Sequence, residues 1–470
     1  MNVYIVCEHA STRQRLQECL PDVTLSDRAP DAPVDLLVRW GSWHGSDLAR
    51  TVLNPRHAVE ACRYHQHVVR VARVNRIGAV SDPRIVARYR IYLFDMRSYA
   101  ITRRVGKRWR LIKPSRTLLE KLVIRARRVL YSLGLHTGCV EMVPGASGRF
   151  LVVRVHSGPA LNRTLSQRFA KALMKFIAER RDDPTGRSVI LGADPEFILR
   201  RRRSGRIVAA NRYFPYRGSV GHDRLYARFL RGRPLAELRP SPASEPEELF
   251  QHIRRAIRKA MARTGSRVEF TAGSLPFARF PIGGHIHFSG IPLTSNLLRA
   301  LDVYLAVPLL LIDNPARSWR RRLRYGFLGD FRFQRHGGFE YRTLPSWLVA
   351  PSIARAVLCL AKVIAQEYHR LPLHFLDDVN MQHAFYVANK QPFYRRFNEM
   401  WSHLEEVPTY RRYEEALLPL KRWVDAQKVW PDRSDLKPRW FVRKKRARRR
   451  TASVRTARSA RRRARAVPSP

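Results

Sequence analysis

A chain of 470 residues with 45% hydrophobic side chains is too long for one ordinary domain and apolar enough to bury two or three cores. Its 89 Lys and Arg against 38 Asp and Glu leave a formal net charge of +51, which excludes an acidic surface and implies anionic partners: nucleic acid, nucleotide phosphates or an acidic polymer. The five cysteines (Cys7, Cys19, Cys62, Cys139 and Cys359) are far apart with no C-x-x-C pair, which argues against a disulfide framework or thiolate zinc site and fits a reducing cytoplasm.

In chain order, Met1 to His9 lacks a basic leader region and reads as a first strand, Val3 to Cys7. Leu36 to Val38 is a second strand candidate, and Asn54-Pro55 opens a helix with Asn54 as its cap. Tyr89 to Phe94 and Phe150 to Val155 read as strands, and residues 118–133 and 165–178 have helical spacing. Arg180 to Gly186 has linker character, charged and then broken by Pro and Gly. A strand-rich unit follows from Val189 to about Trp347, interrupted by helical segments at 246–262 and 295–311 and followed by another at 351–369. The most apolar stretch, Leu301 to Ile312, contains Pro308 and falls short of the ~20 residues of a membrane span, so no span is expected. Residues 376–430 read as a helical extension. The last 30 residues hold 13 Arg and Lys and no acid, and are expected to be disordered.

Four stretches place two functional groups one residue apart: Asp194-Pro195-Glu196, Glu237-Leu238-Arg239, His285-Ile286-His287 and Glu340-Tyr341-Arg342. On a strand, residues i and i+2 share a face. Hard carboxylate oxygens suit magnesium or manganese, and an arginine beside a metal suits a phosphoryl group. Asp194-Pro195-Glu196 is the sharpest of the four, since acids are scarce here. Pro195 places its strand near an edge or bulge. The glycines of Gly283-Gly284-His285 would let a ligand approach the backbone. Glu237 is weaker alone, with His222-Asp223 upstream, and Arg239 is equally a structural ion-pair partner. Arg317 to Arg332 supplies six basic side chains, read either as a solvated loop or as a triphosphate clamp. Neither a P-loop nor a G-x-S-x-G elbow is present.

These motifs, in this order, resemble the phage-type amidoligases, the type-two carboxylate–amine ligases of the glutamine synthetase-like superfamily. The resemblance covers roughly 189–370. It implies an α+β fold with a glutamine synthetase-like antiparallel sheet. Its metal ligands would be Asp194, Glu196, Asp223, Glu237, His285 and Glu340, and its phosphate or carboxylate contacts His287, Arg324, Arg332 and Arg342. Arg342, Arg324 and Arg332 would be the catalytic cations. Asp194 stands where glutamine synthetase proper has a glutamate. The N-terminal unit more weakly resembles ATP-grasp proteins. Its Glu141 falls in a segment that carries an acidic metal ligand, but Arg154 stands where an active member has a carboxylate, and the span between Pro83 and Arg88 is too short for the usual ATP-binding lobe.

The resulting expectation is a truncated, inactive ATP-grasp-like domain (1–185), a ligase domain (189–375), a helical extension (376–436) and an arginine-rich tail (437–470). The implied reaction is ATP-dependent amide formation through an acyl phosphate, with Mg2+ or Mn2+, joining an unidentified carboxylate and amine that could belong to a peptide or an acidic polymer. The tail would contact an anionic polymer or nucleic acid. Two other readings are a nucleic-acid-binding protein without catalysis, motivated by the charge and tail, and a metal-dependent hydrolase using His285, His287 and Glu340.

Overall fold

The computed structural model describes residues 1–81, 87–145, 148–181, 188–277, 279–335, 337–372 and 375–441. The core of the predicted linker, the span after Pro83 and the tail beyond 441 lie outside the described residues. The architecture is mixed α+β.

The N-terminal part holds two sheets. β1 (Val3–Cys7), β2 (Thr24–Ser26), β3 (Val34–Trp40) and β4 (Ala49–Leu53) pair in parallel, in the order β2-β1-β3-β4. The near-continuous apolar runs of β1 and β3 bury residues on both faces, as a parallel sheet requires. β5 (Tyr89–Phe94), β6 (Arg97–Val105), β7 (Arg108–Leu111), β8 (Thr137–Pro144) and β9 (Phe150–His156) form an antiparallel sheet in the order β7-β6-β5-β8-β9. Helix Arg116–Ser132 buries Leu122, Ala126 and Val129 against Ile91 and Val140 on one face of this sheet. Phe169 and Leu173 of helix Arg163–Arg181 share the opposite core with Phe94 and Cys139, and with Ile5 and Val38 of the parallel sheet.

Asn54 does not cap the helix Arg56–Cys62, whose flanking residue is Pro55. It is fully buried at φ +60° and ties the two sheets together. Its Nδ2 donates to the carbonyls of Arg39 and Thr137, both at 2.9 Å, and its Oδ1 accepts from the amides of His136 and Thr137. Asn is one of the few residues that enter this left-handed conformation readily. A cap would leave its side chain at a helix end; here burial between sheets gives it better partners.

The C-terminal part is a second pair of sheets against one helical core. β10 (Ile190–Ala193), β11 (Glu196–Arg201), β12 (Ile207–Val208), β13 (Val220–His222), β14 (Leu235–Leu238), β15 (Val268–Thr271), β16 (Ile286–Ser289), β17 (Phe331–Phe333) and β18 (Phe339–Tyr341) all pair antiparallel. One sheet runs β10-β16-β18-β17; the other runs β12-β11-β14-β13, with β15 on the free side of β11. Helices Pro246–Thr264 and Pro351–Glu367 contribute to the core behind them. The helices Gln391–Glu406 and Tyr410–Asp425 place Phe393, Trp401, Leu417 and Leu420 in that same core, so the predicted extension shares it. Lys437–Trp440 is a short helix rather than the start of a free tail: the Trp440 indole donates to the Leu348 carbonyl at 2.7 Å. One buried tryptophan outweighs the local basic run.

The helical run Ser295–Ile312 is longer than the apolar stretch read from sequence, and by length and composition alone would suit a membrane span. Its side chains are buried inside the protein, which makes it a core helix. A π-helical turn, Asp302–Ala306, widens it two residues before Pro308, which has no N–H to give the ladder.

Candidate active site

β10 and β11 are separated only by Asp194 and Pro195, where the chain leaves one C-terminal sheet for the other. The expected fork on a single strand is therefore a corner between two strands. Pro195 fits the corner because it owes no hydrogen bond to a ladder. The segment Gly283–His285 runs beside it: Asp194 N donates to the His285 carbonyl at 3.3 Å and Glu196 N to that of Gly283 at 2.9 Å.

Register then assembles two rows. In the first sheet Gly192, His287, Glu340 and Arg332 stand opposite one another on four adjacent strands. In the second, Glu196, Glu237 and Gly221 do so on three. Directly opposed residues share a face, so each row is one line of neighbours. Asp194, at the corner, reaches the first row: His285 Nδ1 lies 2.9 Å from its Oδ1 and His287 Nε2 3.2 Å from its Oδ2. Glu340 is fully buried; its Oε1 is 3.3 Å from His285 Nδ1 and 3.4 Å from Arg342 Nε, while its Oε2 pairs with Arg332 Nη2 at 2.5 Å and accepts from Gln334 Nε2 at 2.9 Å. Arg332 is 57% exposed and marks the solvent side of the cluster.

The electrostatics follow from crowding. Burial pushes the Glu196 carboxyl up to about 7; His285 and the Gly283 N–H oppose this, while Asp223 and Asp194 add to it. Burial likewise raises Glu237, with Asp194 the next contributor. Burial alone would raise Asp194 too, but the two histidines hold it well below the usual carboxylate range. Burial would lower His285, yet Asp194, Glu196 and Glu340 hold it up at about 9.

Both ring nitrogens of His285 are engaged inside the protein: Nδ1 with the carboxylates, Nε2 with the Tyr325 hydroxyl. Tyr325 also accepts from Arg342 Nη2 at 2.8 Å, so the one tyrosine joins the histidine and the arginine. Sequence reading passed over Tyr325 and Gln334. The only signal for Tyr325 was an aromatic residue between an arginine run and a Gly-Phe-Leu-Gly turn, which without register points nowhere. Gly283 and Gly284 serve the protein rather than a ligand. A Cβ on Gly283 would overlap the His285 ring, and one on Gly284 would lie 2.6 Å from the Trp347 indole.

The basic stretch before the third fork is dispersed. Arg317 pairs with Asp432 at 2.8 Å. Arg321 is buried and donates to the carbonyls of Ile282, Thr343 and Leu344, and Arg322 is buried 3.9 Å from Asp313. Arg324 is exposed and makes no ion pair with the cluster among the described residues. The stretch as a whole does not form a triphosphate clamp: Arg321 satisfies carbonyls, Arg317 and Arg322 face acids, Arg320 lies over Trp319, Arg324 is exposed, and Arg332 alone reaches the site. Arg239 is a structural partner: it donates to Glu237, to the Tyr216 carbonyl at 2.7 Å and to the His222 carbonyl at 3.3 Å. Asp223 is half-buried, accepts from Leu225 N, and reaches Glu196 through its charge.

The donor set fits a divalent cation. One ligand atom from each of Asp194, His287 and Glu340 lies within 4.8 Å of the others. Asp194 Oδ1, His287 Nε2 and Glu340 Oε1 are buried and complete no hydrogen bond. Two more carboxylates, Glu196 and Glu237, stand in the neighbouring row.

In the N-terminal part Glu141 is already neutralised. Arg88 and Arg90 each donate to it at 3.1 Å, and Arg154 stands opposite it in register. Burial would raise its carboxyl, but His156, Arg90 and Arg88 hold it at about 2.

Comparison with known proteins adds to this picture. Among solved structures, the ATP-grasp ligase PsnB complexed with minimal precursor, Mg and ADP is 11% identical, covers 37% of this chain and 97% of its own, and has a TM-score of 0.29. Macrocyclase MdnB from Microcystis aeruginosa MRC gives 13%, 37%, 99% and 0.28, and apo GmaS gives 14%, 76%, 94% and 0.31. No curated protein matched the chain. The family model of the phage phiEco32-like COOH.NH2 ligase, type 2, matches residues 191–442, which takes in both sheets of the site and the helices behind them. That match spans more than half of the chain, and the protein belongs to this family of carboxylate–amine ligases.

Proposed function

We propose that the chain forms an amide bond at the expense of ATP, with the reaction centred on the Asp194–His287–Glu340 cluster. The observation that carries this reading is that cluster itself: three ligating side chains within 4.8 Å, in a protein otherwise dominated by cations. A substrate carboxylate attacks the γ-phosphate of ATP, giving an acyl phosphate and ADP, and an amine then displaces phosphate. A bound Mg2+, or Mn2+, would neutralise the triphosphate and the charge that develops in transfer.

The protein's own groups have the following parts. Asp194, His287 and Glu340 would hold the cation, with Glu196 and Glu237 beside them and Asp223 as an outer charge. His287, rather than His285, is assigned as ligand, because both nitrogens of His285 are occupied; His285 orients Asp194. Arg342 and Arg332 flank Glu340 and offer N–H groups to phosphoryl or carboxylate oxygens. The buried walls of the cluster keep water from the acyl phosphate. The N-terminal part is read as non-catalytic, since Glu141 is held by arginines. The acceptor is a peptide or another polymer carrying carboxylates.

ADP and phosphate release, screened over carboxylate–amine pairs, with product mass showing loss of water, tests the proposal. Unchanged ATP turnover in both Glu196→Ala and Glu340→Ala would sink it.

A further inference from the structure

A cavity of about 410 Å³ opens in the N-terminal part and is lined by Glu8, Trp43, Arg63, His65, Arg154 and His156 among others. Its place is set by topology. In the order β2-β1-β3-β4 the chain turns outward in opposite directions from β1 and β3, and ligands of open parallel sheets bind beyond the carboxyl ends of strands at such a switch point. Glu8 is the residue after β1, and Gly41 the residue after β3; both line the cavity. Gly41 takes φ +87° and packs so closely on Gly158 that a side chain on Gly158 would overlap the Gly41 backbone, which keeps the floor free of side chains.

The chemistry of the walls is mixed but selective. The Arg63 guanidinium carbon sits over the Trp43 indole, 3.4 Å from the ring centroid, a cation–π contact that places its N–H groups at the cavity wall, where they can meet an anion. Arg154 is exposed on the same wall. His65 Nε2 is a buried atom that completes no hydrogen bond, while His156 Nε2 lies 3.9 Å from the Glu141 carboxylate that it helps hold down. Glu8 is the one acid among the lining groups. We infer that this cavity binds a small zwitterion, an amino acid or the free end of a short peptide, with its carboxylate on Arg63 and Arg154 and its ammonium on Glu8. The volume falls in the range of small-molecule sites. The site is built from residues outside the family match and does not depend on the ligase reading.

The test is binding, measured on the full chain without ATP or metal. Thermal melting is recorded with each proteinogenic L-amino acid, each L-alanyl dipeptide, their N-acetyl forms, inorganic phosphate and ADP. The expected result is a rise of about 2 °C or more with at least one free amino acid or dipeptide. Titration of that ligand should show at least about tenfold weaker binding to Arg63→Ala. The preference for the free amine over the N-acetyl form should disappear in Glu8→Gln, a surface change that leaves the fold intact. Stabilisation by phosphate or ADP alone, no stabilisation by any probe, or an unchanged amine preference in Glu8→Gln would each overturn the assignment.

Discussion

Two sheets of this protein set a glutamate in the middle of a cross-strand row, and the rows differ in character. In the C-terminal part the row is His287–Glu340–Arg332, with Asp194, Glu196 and Glu237 close by. In the N-terminal part it is Arg90–Glu141–Arg154, with Arg88 added. Strand geometry is the same; the count of surrounding acids and cations is not. Where carboxylates crowd together in a buried place, Glu196 is pushed up to about 7 and an added cation relieves them. Glu141, held by Arg88 and Arg90 with no second carboxylate beside it among the described residues, falls to about 2. The surroundings of a β-sheet glutamate are thus set by which side chains face it from the adjacent strands.

The sharpest way to break the contrast is to remove each central glutamate. Glu340→Gln should lower ATP-dependent turnover by about a thousandfold, whereas Glu141→Gln should stay within about threefold, measured by steady-state ADP release. Comparable losses in both would erase the distinction. Next, Arg342→Ala should cost about a hundredfold and Arg324→Ala less than about twofold, since only Arg342 reaches the cluster.

A third test concerns the joint between the two parts. Asp302 is buried and accepts from Tyr131 of the N-terminal part at 2.8 Å and from Tyr341, beside Glu340, at 2.6 Å, with Gly329 N as a third donor. Asp302→Ala should destabilise the protein by about 2–4 kcal/mol in urea unfolding, because those donors lose their acceptor.

The smallest effects lie in the pH dependence of stability, and their signs should oppose each other. Glu196 is raised, so the folded metal-free protein keeps a proton that the unfolded chain has lost. That contribution is full below the ordinary carboxylate range and disappears as pH rises through about 7. Glu141 is lowered; its contribution is full above the ordinary range and disappears as pH falls towards about 2. Denaturation midpoints against pH should therefore lose a fall near neutrality in Glu196→Gln and a fall in acid in Glu141→Gln. By the same logic Mg2+ binding should tighten between about pH 6 and 8 and release protons.

Local signals placed several of the elements. Val3–Cys7 and Tyr89–Phe94 were legible because their apolar runs are short and bounded. The acidic and histidine motifs were legible because acids are scarce in a chain this basic. Asn54 misled, since Asn before Pro is a cap signal and nothing local shows that two sheets close over it. The arginine run misled for the same reason: Arg321 is spent on carbonyls 22 to 39 positions away, and Arg317 faces an acid 115 positions away. Tyr325 was silent because a tyrosine acquires a role only when a histidine and an arginine are folded against it.

By itself, the sequence determined the chemical inventory: four carboxylates, two imidazoles and a few arginines, in an order that marks a carboxylate–amine ligase. Composition and i, i+2 spacing are local properties, and they survive in any fold. Only the tertiary structure decided which of those groups meet. Strand register is set by long-range pairing, so it placed Asp194 at a corner, His287 beside Glu340, and Arg324 out in solvent. It also decided that Glu141, carrying the same carboxylate, is closed off, because the arginines that neutralise it arrive from neighbouring strands.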